Sequence, residues 1–407
     1  MIALSPTPVA GVLASADGFF ASTIEAYTVP IVNAVELEFR HVSRRYGTLV
    51  AVDDLSLTVP AGRICVLVGP SGCGKTTSLK MVNRLIEPSA GQILVGGRDV
   101  MTQDPIALRR GIGYVIQQVG LLPHLTVGQN VAVVPRLLGW DRRRIDERVN
   151  ELLGLVGLAP QTYRERFPAQ LSGGERQRVG VARALAADPP LMLMDEPFAA
   201  VDPIVRERLQ NELLRLQEQL AKTILFVTHD IDEAIKLGDL VAVMKVGGVL
   251  AQFGPPAEIL ANPASDFVAR FVGADRGLKR LSLTRVADLA LQPAITARPG
   301  DDAAEARRRI LADPFPYLLL VDQDGRPIGW LDQDHITATG TLTGDGSGSA
   351  PASPLLDLRT TLKDALSQLL GADVMAGIVV DHEQRVLGLV TVDQIAAALR
   401  DREPARA

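Results

Sequence analysis

The chain has 407 residues, of which 47% are hydrophobic, and a formal charge of −5. At ~100–200 residues per domain, this length predicts two to four domains with buried cores. The acidic balance gives no reason to expect a nucleic-acid partner, and no run of about 18 uncharged apolar residues is present to span a membrane. The two cysteines, Cys65 and Cys73, exclude a disulfide framework and favour a reducing compartment.

Residues 1–34 are predicted to be a disordered extension. Asp17 and Glu25 are the charged residues of this segment, and prolines interrupt it. Because it lacks a basic segment before its apolar residues, a secretory signal is not expected. Two alternatives stay open: a start codon assigned too early, and an amphipathic segment that docks on a partner.

Regular structure is predicted to begin near Val35. The residues from Val35 to Phe39 alternate between apolar and polar, which is typical of a half-buried strand. A second strand is predicted to end at Val59, before a Pro-Ala-Gly turn. Tyr46 lies between the two strands, where it could be a core residue, a surface residue or an aromatic that stacks on adenine.

The next segment has the pattern of a phosphate-binding loop. Its residues are Gly69, Pro70, Ser71, Gly72, Cys73, Gly74, Lys75, Thr76 and Thr77. An apolar run predicts a buried strand before the loop and a helix after it, the context in which G-x-x-x-x-G-K-[ST] binds phosphate. Because Gly72 and Gly74 lack a Cβ atom, successive backbone N–H groups can converge on phosphate oxygens. Lys75 would supply a positive charge for the β- and γ-phosphates of a nucleotide, and Thr76 a hydroxyl ligand for Mg²⁺.

A helical insertion is predicted between Leu121 and Gln170. Apolar residues recur at helical spacing from Glu147 to Val156. The insertion ends at Leu171, and the following Ser172, Gly173 and Gly174 can expose backbone N–H groups at the start of a new helix.

Two further apolar strands carry polar residues at their C-terminal ends, where ligands of open α/β sheets bind. The first is followed by Asp195 and Glu196. Asp195 is a candidate Mg²⁺ ligand through water, and Glu196 is a candidate general base for an attacking water. The other strand ends before His229, which is interpreted as a contact to the γ-phosphate.

The C-terminal part contains an internal repeat with an offset of 59 residues: Leu320–Asp322 and Arg326–Trp330 match Val379–Asp381 and Arg385–Leu389. Each copy is predicted to hold a helix (303–311 and 362–370), two strands and a final short helix. Residues 340–354 are rich in Gly, Ser and Pro and are predicted to be a flexible linker.

Together, the motifs of residues 35–275 resemble those of the ATP-binding subunit of ABC transporters. The Walker A loop of that family matches residues 69–76, its signature motif residues 171–175, and its Walker B strand residues 191–196. The resemblance implies an α/β fold with a RecA-like core, an antiparallel β subdomain and a helical insertion at about residues 118–178.

The resemblance also implies a division of the ATP site between two copies of the chain. Tyr46 matches the aromatic that stacks on adenine, Gln117 the glutamine that senses Mg²⁺ and the γ-phosphate, and Asp202 the D-loop aspartate. His229 matches the switch histidine. The residues Ser172, Gly173 and Gly174 would complete the γ-phosphate pocket of the other copy, so ATP and Mg²⁺ would bind at the interface of a homodimer.

Other segments resemble the quaternary-amine branch of the family. They are residues 80–88, 114–118, 228–234 and 275–281. This branch imports osmoprotectants such as glycine betaine, carnitine, choline or proline. The resemblance implies transmembrane permease subunits as partners, an extracytoplasmic substrate-binding protein as an indirect partner, and a peripheral position on the cytoplasmic face of the cell membrane.

The repeat resembles the α+β tandem CBS (cystathionine-β-synthase) modules that this branch often carries, with the first copy and its linker at residues 276–339 and the second at residues 355–402. Nucleotide-binding CBS modules tend to have Thr-x-x-Asp before an aliphatic residue. The second copy has Thr391 and Gln394 there, and the first has Asp332 and His335. Three roles stay open for the pair: sensing ionic strength, binding a cyclic dinucleotide, or holding the dimer together.

The sequence is therefore interpreted as the ATP-hydrolysing subunit of a quaternary-amine importer. An ABC importer for another solute, such as an amino acid, is an alternative, because the solute never touches this subunit. A non-transport ABC ATPase acting on nucleic acid or ribosomes is an alternative of a different class.

Overall fold

The computed structural model describes residues 34–117, 120–199, 201–313, 315–336, 339–343 and 350–400. The expectation of a disordered extension before residue 34 lies outside this range, as do residues 401–402 of the predicted second repeat. Among the helices of the described chain, none has the length and apolar composition needed to cross a bilayer.

Two sheets form the N-terminal two thirds of the chain. The strands are β1 (Leu37–Tyr46), β2 (Leu49–Val59), β3 (Ile64–Val68), β4 (Ala90–Val95), β5 (Arg98–Asp99), β6 (Ile112–Val115), β7 (Leu191–Asp195), β8 (Thr223–Thr228), β9 (Leu240–Lys245) and β10 (Val249–Gly254). An antiparallel sheet has the order β2-β1-β4-β5, and a six-stranded sheet has the order β10-β9-β3-β8-β7-β6. In the second sheet all neighbours are parallel except β10 and β9.

The parallel strands explain where the core lies. Every residue of β3, β7 and β8 is buried, as expected when helices cover both faces of a parallel sheet. The helices are α1 (Lys75–Val82), α2 (Pro105–Arg110), α7 (Gly173–Leu185), α8 (Pro203–Leu220), α9 (Ile231–Leu237), α10 (Pro256–Ala261) and α11 (Asp266–Val272). The α/β architecture predicted from the sequence is confirmed.

The predicted helical insertion consists of four helices: α3 (Val127–Val131), α4 (Val133–Leu137), α5 (Arg142–Leu155) and α6 (Pro160–Tyr163). The longest, α5, contains the segment with helical spacing. Its apolar face buries Leu152 and Leu153 completely, and it packs on α7. The insertion is thereby joined to the helix that begins at the Ser-Gly-Gly sequence.

Two further sheets contain the repeat. The first copy has β11 (Thr296–Ala297), α13 (Ala303–Leu311), β12 (Tyr317–Val321), β13 (Pro327–Asp332) and β14 (Ala350–Pro351). The second copy has β15 (Leu355–Leu356), α14 (Leu362–Leu370), β16 (Ala376–Val380), β17 (Val386–Thr391) and α15 (Val392–Arg400). The helices at 303–311 and 362–370 are confirmed at both ends.

The predicted short helix at the end of the first copy is wrong for the described residues 333–336, which form turns. In the second copy, Thr391 and Gln394 exchange hydrogen bonds with each other's backbone N–H groups, which starts α15. In the first copy, Asp332 occupies the equivalent place and its Oδ1 accepts from the N–H groups of Asp334 and His335. The glutamine that completes the cap is thus replaced by His335.

The predicted linker is part of the fold at both ends. Leu342 is buried, its N–H donates to the carbonyl oxygen of Asp301, and residues 350–351 pair with β13. The composition of residues 340–354 predicted flexibility, although the segment contains the large apolar residue Leu342. Residues 344–349 lie outside the described chain.

A short helix, α12 (Arg276–Leu281), joins the two parts of the molecule. Leu281 is 2% exposed and belongs to the apolar core of the second repeat copy. Two residues earlier, Lys279 Nζ donates to the carbonyl oxygen of Val272 at 2.8 Å. The same ammonium lies 3.3 Å from a carboxylate oxygen of Asp232, in the first turn of α9.

Candidate active site

The phosphate-binding loop connects β3 to α1, as predicted. Gly74 is the residue before the helix and has a φ angle of +90°, and Gly72 has a φ of +78°. These left-handed conformations favour glycine. A Cβ atom on Gly74 would also lie 2.2 Å from the carbonyl oxygen of Ala51, so this position requires glycine for space as well as for conformation.

Lys75 begins α1 and folds back over the loop. Its side chain is nearly buried, and Nζ donates to the carbonyl oxygens of Gly69 at 2.7 Å and Pro70 at 3.0 Å. The ammonium is therefore held against the backbone of the loop that is predicted to bind phosphate.

Thr76 and Asp195, both predicted Mg²⁺ ligands, lie together. The Thr76 hydroxyl donates to Asp195 Oδ1 at 2.9 Å. Burial raises the pKa of Asp195, although the hydrogen bond from Thr76 opposes this effect. In the described part of the chain, no group of three or more His, Cys, Asp or Glu could form a metal cage. A hydroxyl and a carboxylate suit Mg²⁺, which usually takes one or two carboxylates and completes its shell with waters and phosphate oxygens.

The three predicted catalytic residues meet at one carboxylate oxygen. Glu196 follows β7, Gln117 lies two residues beyond β6, and His229 follows β8. Gln117 Nε2 donates to Glu196 Oε2 at 3.2 Å, and His229 Nδ1 lies 3.3 Å from the same oxygen. Neighbouring parallel strands thus present an amide, a carboxylate and an imidazole at one edge of the sheet.

The backbone of Glu196 is itself unusual. Its φ angle is +43°, a conformation that is uncommon for residues other than glycine and tends to occur at functional sites. The N–H group of Glu196 donates to the carbonyl oxygen of Val227 at 2.9 Å, which ties the residue to β8. The carboxylate of the same residue contacts Gln117 and His229.

Ser172, Gly173 and Gly174 lie at the start of α7. The Ser172 hydroxyl accepts from the N–H group of Glu175, and the Glu175 carboxylate accepts from the N–H group of Ser172. Tyr163 donates its hydroxyl to the same carboxylate at 2.8 Å. These hydrogen bonds, the one from the Ser172 backbone first, lower the pKa of Glu175.

Glu175 and Tyr163 are supporting residues that sequence reasoning missed. The spacing S-x-x-E is itself the signal of a reciprocal helix cap and could have identified Glu175. Ser172 and Gly173 are exposed. Within the described residues, the side-chain hydrogen bonds of Ser172 go to Glu175, and none reaches residues 69–77.

The contacts described for Tyr46 and Asp202 are with residues outside the phosphate loop. Tyr46 ends β1 and is 43% exposed. The guanidinium carbon of Arg44 lies 4.3 Å from the centre of its ring, so one face of the ring already has a cation against it. Asp202 caps α8, with Oδ1 accepting from the N–H group of Val205 at 3.0 Å.

A buried pair that the sequence analysis missed links two of these elements. Gln210 on α8 donates through Nε2 to Glu233 Oε1 on α9 at 3.0 Å, and both residues are buried. Burial raises the pKa of Glu233. Because α8 follows Asp202 and α9 follows His229, this hydrogen bond couples the positions of the two helices. No sequence signal joins residues 23 positions apart on different helices.

The candidate nucleotide positions of the repeat are occupied by internal hydrogen bonds. Besides bonding Thr391, Gln394 donates through Nε2 to the carbonyl oxygen of Ala290 at 2.8 Å. In the first copy, His335 Nδ1 lies 2.7 Å from Asp332 Oδ1. These contacts lower the pKa of Asp332 against the opposing effect of burial, its largest influence. The side chains that would face a ribose are therefore engaged within each copy.

Two sequence-family profiles match the chain. The profile of the ABC transporter family matches residues 52–199, which contain the phosphate loop, Ser172–Gly174 and Glu196. The profile of the CBS domain matches residues 286–339 and 353–401, the two copies of the repeat.

Curated relatives resemble nearly the whole chain. The osmoprotectant import ATP-binding protein OsmV of Salmonella typhimurium is 45% identical over 367 residues, which cover 90% of this chain and 95% of OsmV. The glycine betaine/carnitine/choline transport ATP-binding protein OpuCA of Bacillus subtilis is 43% identical over 365 residues, or 87% of this chain and 94% of OpuCA.

A solved structure, CbiO1 from Clostridium perfringens, part of an ABC transporter complex, is 27% identical with a TM-score of 0.52. The aligned region covers 56% of this chain and 91% of CbiO1. Taken with the site geometry and the two profiles, these likenesses lead to one conclusion. The chain belongs to the ABC transporter family, as an ATP-hydrolysing subunit of its osmoprotectant-import branch that carries two CBS domains.

Proposed function

We propose that this chain powers the import of quaternary amines and other osmoprotectants, such as glycine betaine, carnitine, choline or proline. The observation that carries the hydrolytic part is the meeting of Gln117, Glu196 and His229 beside the Thr76–Asp195 pair. The names of OsmV and OpuCA support the class of solute.

The residues of the site divide the work of hydrolysis. The loop N–H groups and Lys75 bind the β- and γ-phosphates of ATP, and Tyr46 stacks on the adenine. Thr76, and Asp195 through water, would hold Mg²⁺, which would supply positive charge to the phosphate oxygens. Gln117 would sense the bound ion. Glu196 accepts a proton from the attacking water.

His229 has a separate task in this scheme, because it donates to the γ-phosphate as charge develops in the transition state. Its 3.3 Å contact with Glu196 keeps the imidazole beside the carboxylate that handles the water. One edge of the sheet thus provides the base and the donor together.

A second copy of the chain completes the site in this proposal. The exposed Ser172 and Gly173, with Gly174, would donate to the γ-phosphate on the partner's loop, and Asp202 would lie at the seam between the copies. The helical insertion would contact the permease at the cytoplasmic face of the membrane. An extracytoplasmic binding protein would deliver the solute without touching this chain.

Solute uptake by the chain assembled with its permease and binding protein tests the proposal. We expect ATP-dependent uptake of labelled glycine betaine or another quaternary amine into proteoliposomes, and none with the Glu196→Gln chain. Uptake of glutamine in place of quaternary amines would favour the amino-acid importer. Failure to bind any permease, with turnover stimulated by ribosomes, would favour the non-transport ATPase.

The raised pKa of Asp195 predicts how Mg²⁺ dependence varies with pH. An aspartate ordinarily has a pKa of about 3.9, so raising it lets a proton compete with the cation at a higher pH. We expect the Mg²⁺ concentration for half-maximal ATP turnover to rise as pH falls toward the raised pKa, and to fall again as pH increases. Turnover measured at a series of Mg²⁺ concentrations and pH values checks this.

The variants Asp195→Asn and Asp266→Asn sharpen that measurement. Asp195→Asn should need more Mg²⁺ at every pH and lose the part of the pH dependence that protonation of Asp195 causes, because the amide does not titrate. Asp266→Asn, in the first turn of α11, should behave like the unchanged chain. Identical pH dependence in all three chains would contradict the assignment of Asp195.

A further inference from the structure

Tyr46 has a cation against its aromatic ring. The guanidinium carbon of Arg44 lies 4.3 Å from the centre of that ring, and a cation within about 6 Å of a ring centre is attracted by the negative face of the ring. Tyr46 itself is 43% exposed, so this contact covers only part of the side chain. The ring is therefore held on one face while much of its surface stays accessible to another planar group.

Arg44 is fixed by the surrounding fold. Its Nη1 donates to the carbonyl oxygen of Glu87 at 2.9 Å, and its Nε is buried. The carboxylate of Glu87 pairs instead with Arg84, at 2.9 Å. Among the described residues, no carboxylate forms an ion pair with Arg44. The partners of its guanidinium are thus the Glu87 carbonyl and the Tyr46 ring.

The anchor of this guanidinium lies on the opposite side of β1 from the phosphate loop. In its sheet, β1 lies between β2 and β4. Glu87 comes shortly before β4, and the N–H group of Ser89 in the same segment donates to the carbonyl oxygen of Ser43 on β1. The phosphate loop instead approaches β2, where a Cβ atom on Gly74 would lie 2.2 Å from the carbonyl oxygen of Ala51. The cation therefore reaches the ring from the β4 side and leaves the β2 side for a ligand of the loop.

We propose that Arg44 is a positioning residue for recognition of the adenine base. It holds the Tyr46 ring through a cation–π contact on one face, so that the base stacks on the other. This inference rests on the proposed function, in which Tyr46 stacks on adenine. Because Arg44 restrains the ring, less side-chain freedom remains to be lost when the base binds, and binding is tighter by that amount.

Two ligands separate recognition of the base from recognition of the phosphates. Adenylyl imidodiphosphate is an ATP analogue that is not hydrolysed, and inorganic tripolyphosphate has the phosphates without a base. Both are titrated with Mg²⁺ into the full-length chain in a calorimeter. We expect Arg44→Leu to bind the analogue roughly two- to fivefold more weakly, the effect of losing an exposed cation–π contact. Its affinity for tripolyphosphate should equal that of the unchanged chain.

Turnover provides a second measurement on the same variant. The KM for ATP should rise by the same factor while kcat stays within about twofold, because the lost contact is made equally before and during hydrolysis. Arg45→Leu is the matched control. It removes the same charge from the next residue, whose guanidinium lies 3.9 Å from the Asp53 carboxylate. This control should bind both ligands as the unchanged chain does.

A double-mutant cycle shows whether Arg44 acts through the tyrosine. Tyr46→Leu should weaken binding of the analogue at least fivefold, the lower end of the effect of losing a stacked base. Adding Arg44→Leu to Tyr46→Leu should have no further effect, because no ring remains to be positioned. Thermal unfolding verifies that each variant is folded. If Arg44→Leu does not fold, Arg44→Gln removes the charge and retains a hydrogen-bond donor.

Several results would overturn the proposal. Equal weakening of both ligands would show that Arg44 supports the fold in general. Tighter binding of the analogue by Arg44→Leu would show that the arginine covers the face that adenine needs. Unchanged affinity in Arg44→Leu or Arg44→Gln, with a loss in Tyr46→Leu, would refute the role of Arg44 alone. Unchanged affinity in Tyr46→Leu would refute the stacking on which the inference rests.

Discussion

Glu196→Gln is expected to lower ATP turnover by roughly 10²–10⁴, the range for a lost general base. The amide cannot accept the proton of the attacking water, although it keeps the size of the side chain and can still bond Gln117. ATP binding and the nucleotide-bound dimer should persist, because the phosphate loop is untouched. Phosphate release gives the turnover, and size-exclusion chromatography with ATP detects the dimer.

Glu218→Gln is a matched control, since it makes the same chemical change on an exposed face of α8. It should hydrolyse ATP at the rate of the unchanged chain. Normal hydrolysis by Glu196→Gln would remove this residue from the role of base. If Glu196→Gln lost both ATP binding and hydrolysis, the result would instead show that the left-handed backbone at Glu196 had rearranged.

Lys75→Ala is expected to weaken ATP binding itself. Hydrogen bonds to charged groups contribute about 1.5–3 kcal/mol, so the dissociation constant should rise by roughly 10–150-fold. The substitution also removes the bonds from Nζ to the carbonyl oxygens of Gly69 and Pro70. Fluorescence titration with a labelled ATP analogue measures the affinity.

Lys363→Ala on α14 provides the comparison, because it removes the same charge far from the phosphate loop. Its affinity for ATP should equal that of the unchanged chain. Unchanged affinity in Lys75→Ala would contradict the assignment of residues 69–77 as the phosphate site.

Much of the fold could be predicted because local pattern and final structure agree. The strands β3, β7 and β8 are continuous apolar runs, and such runs are typical of a parallel sheet covered on both faces. Parallel strands also place their C-terminal ends at one edge, so Glu196 and His229 were expected to lie close together before any distance was known. The family resemblance identified Gln117 as a site residue, but its contact with Glu196 was not predicted.

Other features depend on contacts that no local pattern encodes. The hydrogen bond between Gln210 and Glu233 joins two helices, and the positive φ of Glu196 accompanies a backbone hydrogen bond to Val227 on β8. The first repeat copy differs from the second because His335 stands where Gln394 completes a helix cap. A repeat match over many residues did not reveal the effect of this one difference.

The ATPase and the CBS pair share α12, so the chain cannot be divided at this helix without breaking contacts. A chain that ended at Leu281 would expose a leucine that now completes the core of the second CBS repeat. A chain that ended before Arg276 would also remove Lys279 from Asp232. Since α9 begins two residues after His229, α12 connects the CBS pair to the helix that follows this site residue.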